Sequence, residues 1–218
     1  MPIAIFDLDN TLLSGDSDYS WGQFLVRHNL VDPDQYAQAN NKFFQDYQQG
    51  VLDIHEYSAF CFEPLTRYSM EELARFHSMF MDEYIRPMMG NKARQLVQQH
   101  RDQGHDLLVI TATNSFITSP IVREFGIETV LATDPKKVDG RYTTEIEGIP
   151  CFKEGKVKRL EEWLASTGKS LDGSWFYTDS VNDLSLLELV EHPVAVDPDQ
   201  KLRQIAKERG WPIISLRE

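Results

Sequence analysis

The stretch Ile3-Ala4-Ile5-Phe6-Asp7-Leu8-Asp9-Asn10-Thr11 decides how this chain is read. Four apolar, β-forming residues run straight into Asp7, and a second acid follows two residues later. A short continuous apolar run of this kind suits a parallel strand buried on both faces. In an open parallel sheet, ligands bind outside the carboxyl ends of the strands, so the residues just after each strand matter most. Asp106-Leu107-Leu108-Val109-Ile110-Thr111 reads as a second strand and delivers Thr111-Ala112-Thr113-Asn114. Trp175-Phe176-Tyr177-Thr178 reads as another and delivers Asp179-Ser180-Val181-Asn182-Asp183. Further strands are expected near Glu128–Ala132, at Pro193–Val196 and at Ile213–Ser215. Val138-Asp139-Gly140-Arg141-Tyr142 reads as a hairpin, since Asp-Gly between β-formers favours a type I′ turn. Helices are expected near Asn91–Gln103, Phe116–Phe125, Glu154–Ser166, Leu184–Val190 and Asp199–Arg209. Strands alternating with helices predict an α/β fold: a Rossmann-like parallel sheet with helices on both faces.

One segment breaks this alternation. From Asp16 to about Ile85 no strand pattern occurs, and four helices are expected instead. The first runs from Ser17 to His28. The second starts near Pro33, with Asp32 as its cap, and stops at Gly50. The third starts near Asp53, with Glu56 three residues on, and the fourth follows Ser69, with Glu72 at the capping-box position. Aromatic residues at Tyr36, Phe43, Phe44, Tyr47, Tyr57, Phe60 and Phe62 line these helices, and bundle core is the default reading for them. The expected organisation is an α/β core of residues 1–15 and 88–218 with a small helical cap of residues 16–87 inserted into it.

The chain has 218 residues, which at roughly 150 per domain allows one or two domains, enough to bury a substantial core. Its 34 acidic and 22 basic side chains leave a net charge of −12. Such a chain repels a phosphate backbone, so nucleic acid is excluded as a partner. No window reaches the roughly 18 apolar residues of a membrane span, so no membrane partner is expected. The two cysteines, Cys61 and Cys151, have no metal-binding spacing and read as reduced, buried thiols. The start of the chain lacks a basic segment and its apolar run is broken by Asp7 and Asp9, so a signal peptide is not expected and a cytoplasmic location is. Oligomeric state is not legible.

Asp7, Asp9, Asp179 and Asp183 are brought to one sheet edge. Two unit charges about 4 Å apart repel by about 4 kcal/mol at an effective dielectric near 20. Either some of these carboxyls hold protons or a cation sits among them. Oxygen donors with no His or Cys nearby point to Mg²⁺ rather than zinc. An Mg²⁺ with open positions typically binds substrate phosphate. Thr111 supplies a hydroxyl and, at an expected helix start, a backbone N–H. Lys153, Lys156 and Lys158 are the candidate cations. One Asp as nucleophile, one as acid and base, a metal, a hydroxyl and a lysine match an aspartyl-phosphate mechanism.

With these residues in hand, the sequence resembles the haloacid dehalogenase (HAD) superfamily of phosphatases over nearly its whole length. Asp7-Leu8-Asp9-Asn10-Thr11 is similar to the family's first motif, DxDxT. Thr111 resembles the second, Lys156 the third with Lys153 as its rival, and Asp179 to Asp183 the fourth, with Thr178 where glycine is common. The helical insert resembles the cap of the phosphoserine phosphatase-like subgroup, some of whose members are histidinol-phosphate phosphatases. The resemblance implies that Asp7 attacks phosphorus and that Asp9 protonates the leaving alcohol and then deprotonates water. It also implies that Mg²⁺ is held by the Asp7 carboxylate, the Asp9 carbonyl and Asp179, with Asp183 anchoring a metal-bound water. Thr111 and Lys156 would hold the phosphoryl oxygens, and Asn182 counts among the substrate-binding residues.

The expected partner is a small phosphorylated metabolite, because a cap over the strand ends leaves room for little else. In the similar phosphoserine phosphatases, a cap acid and an arginine hold the amine and carboxylate of the substrate. Here Asp16 or Asp18 is placed to bind an amine, while Asp16, Asp18, Tyr19 and Trp21 read equally as substrate contacts or as a helix start. Arg67 and Arg75 are the nearest arginines; if neither reaches the pocket, histidinol phosphate fits better than phosphoserine. The alternatives are a receiver-type phospho-acceptor domain, against which Asp9 and the insert argue, a catalytically silent binding protein and a phosphotransferase.

Overall fold

The computed structural model describes residues 1–48 and 51–217. Seven strands form one sheet: β1 (Ile3–Phe6), β2 (Asp106–Asn114), β3 (Thr129–Val138), β4 (Arg141–Glu147), β5 (Trp175–Thr178), β6 (His192–Val196) and β7 (Ile213–Ile214). Their order is β4-β3-β2-β1-β5-β6-β7. All neighbours are parallel except β3 and β4, which form the expected hairpin with Asp139 and Gly140 both at positive φ. The chain leaves β1 for β2 and β3 on one side and later returns to β5 on the other. β1 is therefore the topological switch point, where a crevice opens at the strands' carboxyl ends.

Side chains alternate across the sheet, and two cores result. Ala4, Phe6, Val109, Tyr177, Val194 and Val196 face one side; Ile3, Ile5, Leu108, Ile110, Phe176 and Ala195 face the other. The second face is covered by α7 (Glu154–Thr167), α8 (Leu184–Leu187) and α9 (Gln200–Arg209), through Leu160, Leu186, Leu187, Leu202 and Ala206. The first is covered by α5 (Asn91–Asp102) and α6 (Ser115–Glu124), through Ala93, Val97, Ile117 and Ile121.

The segment without strands folds as α1 (Ser17–Arg27), α2 (Pro33–Gln48), α3 (Ile54–Thr66) and α4 (Met70–Phe80). The expected stop at Gly50 lies outside the described residues, as do the side chains of Phe44 and Tyr47. Asp53 caps α3 by accepting from the N–H groups of His55 and Glu56, and Ser69 and Glu72 close a reciprocal capping box on α4. Trp21, Phe24, Phe76 and Phe80 continue the first core, so the insert and that sheet face share one apolar interior. Fully burying a side chain such as Phe80 contributes about 1.5–3 kcal/mol.

Some boundaries differ from expectation. β2 does not end at Thr111 but runs on to Asn114, with an irregular register against β3 after Ile110. Asn114, not Thr111, caps α6. The helix expected over Leu184–Val190 is one α-turn preceded by a 3₁₀ turn at Val181–Asp183. α4 continues through a wide turn and a 3₁₀ turn to Met88, where Pro87 fits the first positions of the turn. Cys61 and Cys151 are buried and unbonded to each other. Among the described residues no helix is long and apolar enough to cross a membrane.

Candidate active site

The carboxyl ends of β1, β2 and β5 and the helices α1 to α3 enclose one cavity of about 670 Å³. Asp7, Asp9, Asp16, Asp18, Thr111, Lys156, Asp179, Asn182 and Asp183 all line it, whereas the further candidates Lys158 and Trp21 do not. Lys153 and Tyr19 line it too.

Asp7 follows β1 directly, its N–H donating to the carbonyl of Tyr177 on β5 at 2.9 Å. The backbone after it closes one wide turn, Leu8–Leu12, in which Asn10 takes a left-handed φ of 54°. That turn brings the Thr11 hydroxyl back to 3.3 Å from Asp7 Oδ2 and 3.3 Å from Asp179 Oδ1, while the Asp179 N–H donates to the same hydroxyl. Thr11 thus fixes the first and last acidic strand ends against each other. Burial pushes the Asp7 carboxyl up to about 6 against the pull of Lys156, and burial and then the Asp7 charge push Asp179 up to about 7.

Lys156 is only 5% exposed and donates to Asp7 Oδ1 and Asp183 Oδ2, both at 2.9 Å. Burial opposes its charge, but Asp183 and Asp7 outweigh that and raise its pKa. Between the two candidate lysines the geometry discriminates: Lys153 does not join this pair of carboxylates and its ammonium lies over the Phe152 ring, 5.1 Å from the centroid. A tight approach aims Lys156 inward. A side chain at Gly155 would collide with the carbonyl oxygen of Pro150, so only glycine lets α7 start this close. Asp183 does not cap α8 with its side chain; its Oδ2 also accepts from the Thr178 hydroxyl at 2.8 Å.

Asp9 is held apart from this group. Its Oδ1 accepts from the Ser17 N–H at 2.6 Å and its Oδ2 from the Thr113 hydroxyl at 2.8 Å. Burial, with Asp16 next, raises its pKa well above the usual carboxylate range. Thr111 is buried and its hydroxyl accepts from the Thr113 N–H at 3.2 Å. Because β2 runs past it, its N–H is not at a helix start. The sequence reading gave no role to Thr11, Thr113 or Thr178. Each is a hydroxyl one or two residues from a strand-end acid or threonine, and that spacing was the available signal.

At the roof, Asp16 caps α1 by accepting from the Tyr19 N–H at 2.9 Å. Asp18 Oδ2 accepts from the Tyr57 hydroxyl of α3. Trp21 is buried between Phe24 and Phe80 and belongs to the core. Neither Arg67, paired with Glu63, nor Arg75, stacked over Phe76, lines the cavity. The histidines divide: His77 is buried, at 2.9 Å from the Ile117 carbonyl, and His100 is buried against the Tyr177 hydroxyl at 2.7 Å.

The carboxylates of the buried Asp7 and the half-buried Asp179 offer oxygen donors that repel each other, which fits a hard divalent cation such as Mg²⁺. Among the described residues no three His, Cys, Asp or Glu side chains converge as a metal site. A cation here would have the Asp7 and Asp179 carboxylates and water as ligands, in keeping with the way Mg²⁺ retains water, and the resemblance adds the Asp9 carbonyl.

Comparison with known proteins agrees with this architecture. A family model for haloacid dehalogenase-like hydrolases matches residues 4–188. The chain is 48% identical over 219 residues to a histidinol-phosphatase of Neisseria meningitidis serogroup C, the match covering 99% of each protein. It superposes on the crystal structure of a protein of unknown function from Bordetella pertussis Tohama I with a TM-score of 0.94 at 44% identity, covering 99% of both chains. A substrate-bound phosphoserine phosphatase shares the fold, with a TM-score of 0.69 at 15% identity over 99% of this chain and 93% of that one.

Proposed function

We propose that this chain, which belongs to the haloacid dehalogenase-like hydrolase family and is a phosphatase, hydrolyses histidinol phosphate through an aspartyl-phosphate on Asp7. The observation that carries the reading is the pairing of two differently held acids at one strand end. Asp7 is fixed by Lys156 and Thr11, while Asp9 is held separately by Ser17 and Thr113. The likeness to the Neisseria histidinol-phosphatase supports the substrate.

In this mechanism an oxygen of Asp7 attacks phosphorus, and the bond from phosphorus to the substrate alcohol breaks. Asp9, whose proton burial helps to retain, gives that proton to the leaving oxygen. The resulting Asp9 carboxylate then takes a proton from water, whose oxygen attacks phosphorus and breaks its bond to Asp7. A group that works in both directions needs a pKa above the ordinary carboxylate range, and burial, with Asp16 next, moves Asp9 in that direction. Lys156 and Thr111 hold the phosphoryl oxygens. Mg²⁺, held by Asp7, Asp179 and the Asp9 carbonyl with Asp183 acting through a water, would offset the charge of the phosphoryl group and of the carboxylates. Asp183 also keeps Lys156 aimed. Residues 16–87 act as a cap that leaves room for a small molecule only, and the absence of Arg67 and Arg75 from the cavity favours an amine without a carboxylate.

The test is phosphate release from a panel of metabolite phosphates in Mg²⁺. Histidinol phosphate should show the highest kcat/KM, phosphoserine a lower one, and sugar phosphates and nucleotides lower still. A preference for sugar phosphates or nucleotides would reject the substrate and leave the chemistry standing.

A further inference from the structure

The cavity is lined on the side of α2 and α3 by aromatic rings, most of which serve neither core. Among the described residues, neither apolar cluster includes Phe43, Tyr57 or Phe60. These three and Tyr36 are half-buried and face the cavity. They form one continuous wall: Tyr36 lies 4.8 Å from Phe60, Phe60 lies 5.2 Å from Phe43, and Phe43 lies 5.4 Å from Tyr57 edge-on. Leaving four rings partly in water is unfavourable unless something covers them. The fold also makes room for one of them at a cost. Gly22 sits inside α1, where glycine is less stable than alanine, and a Cβ there would come within 2.8 Å of the Tyr36 ring.

One carboxylate is built into this wall. Asp18 Oδ2 accepts from the Tyr57 hydroxyl and lies 3.8 Å from the Cys61 sulfur. Asp16, two residues earlier, is committed to capping α1, and its charge acts on Asp9. The amides Asn40 and Asn41 complete the polar lining. A ligand that satisfies such a wall is flat, has a π-face and carries an N–H or a positive charge. An imidazole ring has all of these, and it can take a proton near neutral pH.

We propose that Asp18, oriented by Tyr57, and the rings of Tyr36, Phe43 and Phe60 form a subsite that reads the imidazole ring of the substrate and so sets specificity. The proposal rests on the histidinol-phosphate reading of the site. The ring stacks on the aromatic wall and donates an N–H to Asp18, while the phosphoryl group lies at Asp7. Burial first, and then Asp16, pushes the Asp18 carboxyl up to about 6, close to the roughly 6.5 of an imidazole, so the two groups share a proton readily.

The experiment compares histidinol phosphate with 2-aminoethyl phosphate, which lacks the ring, in wild type, Asp18→Asn, Phe60→Leu and Gly22→Ala. The ratio of the two kcat/KM values should fall at least tenfold in Asp18→Asn and Phe60→Leu, mainly through KM for histidinol phosphate. It should fall also in Gly22→Ala, which displaces Tyr36 without removing any polar group. Equal losses on both substrates would mean that these residues only support the cap, and would overturn the proposal. Calorimetric binding of histidinol in the presence of inorganic phosphate separates this from the substrate assignment. A wild type that binds histidinol at least tenfold more tightly than Asp18→Asn, yet does not hydrolyse histidinol phosphate, would keep the subsite and reject the activity. Equal binding to both proteins, or none to wild type, would reject the subsite.

Discussion

Replacing Lys156 with methionine removes a cation placed between two buried carboxylates. Its ammonium donates to Asp7 Oδ1 and Asp183 Oδ2 at 2.9 Å each, and all three side chains are less than a tenth exposed. Two charge-assisted bonds at about 1.5–3 kcal/mol each give an upper range of about 3–6 kcal/mol. Breaking a buried pair while leaving its partner charged costs about 3–5 kcal/mol. The variant should therefore lose about 3–5 kcal/mol at pH 8, a large share of the roughly 5–15 kcal/mol of an ordinary domain. The loss should depend on pH with a definite sign. Asp7 is already raised to about 6 by burial with Lys156 pulling it down; without the lysine it rises further. A carboxyl raised in the folded state favours folding below its unfolded pKa of about 3.9 and loses that contribution as pH climbs through the folded value. The penalty should therefore be smaller at pH 5 than at pH 8. Urea unfolding in EDTA at both pH values measures this, the chelator preventing a divalent ion from replacing the ammonium. Lys156→Met with Asp183→Asn should recover at least about 1 kcal/mol relative to additivity. A cost under about 1 kcal/mol at pH 8, or one that does not change with pH, would refute the reasoning.

Thr113→Val deletes the hydroxyl that holds Asp9 Oδ2 at 2.8 Å; a lost charge-assisted bond of about 1.5–3 kcal/mol predicts a roughly ten- to 150-fold fall in kcat on an aryl phosphate, and unchanged steady-state rates would remove Thr113 from the account. EDTA should abolish turnover and Mg²⁺ should restore it, whereas full activity in EDTA would contradict the reading of the acidic floor. Burial, and then His105, hold His100 down to about 4, below the roughly 6.5 of an unfolded histidine. The stability this contributes is complete above about pH 6.5 and is lost as pH falls toward 4, by at most about 3 kcal/mol. The denaturation midpoint of wild type should fall more steeply across that window than that of His100→Gln, and parallel slopes would argue against it.

The parts of the molecule legible in the sequence are those with local signals. Ile3–Phe6 and Trp175–Thr178 are continuous apolar runs closed by an acid, and both are strands with those bounds. Ser69 with Glu72, Asp53 before α3 and Asp-Gly at 139–140 name their own caps and turn. The end of β2 was not legible, because Thr111-Ala112-Thr113-Asn114 continues the β-branched pattern and the register irregularity depends on β3. The choice between Lys156 and Lys153 turned on a collision at Gly155 with Pro150, a contact between residues whose approach no periodicity encodes. The aromatic residues of α2 and α3 have helical spacing whether they face a core or a cavity, so only the fold separates the buried Phe62 from the cavity-lining Phe60. Thr11 reaches Asp179 across 168 positions, which no local pattern reports.

The most direct test of the account is to find where the phosphoryl group goes. Wild type mixed with radiolabelled histidinol phosphate in Mg²⁺ and quenched in acid during turnover should carry the label, and peptide mass mapping should place one phosphoryl group on Asp7. Label on any other residue, or turnover with no labelled enzyme at any quench time and no beryllium fluoride adduct at Asp7, would contradict it.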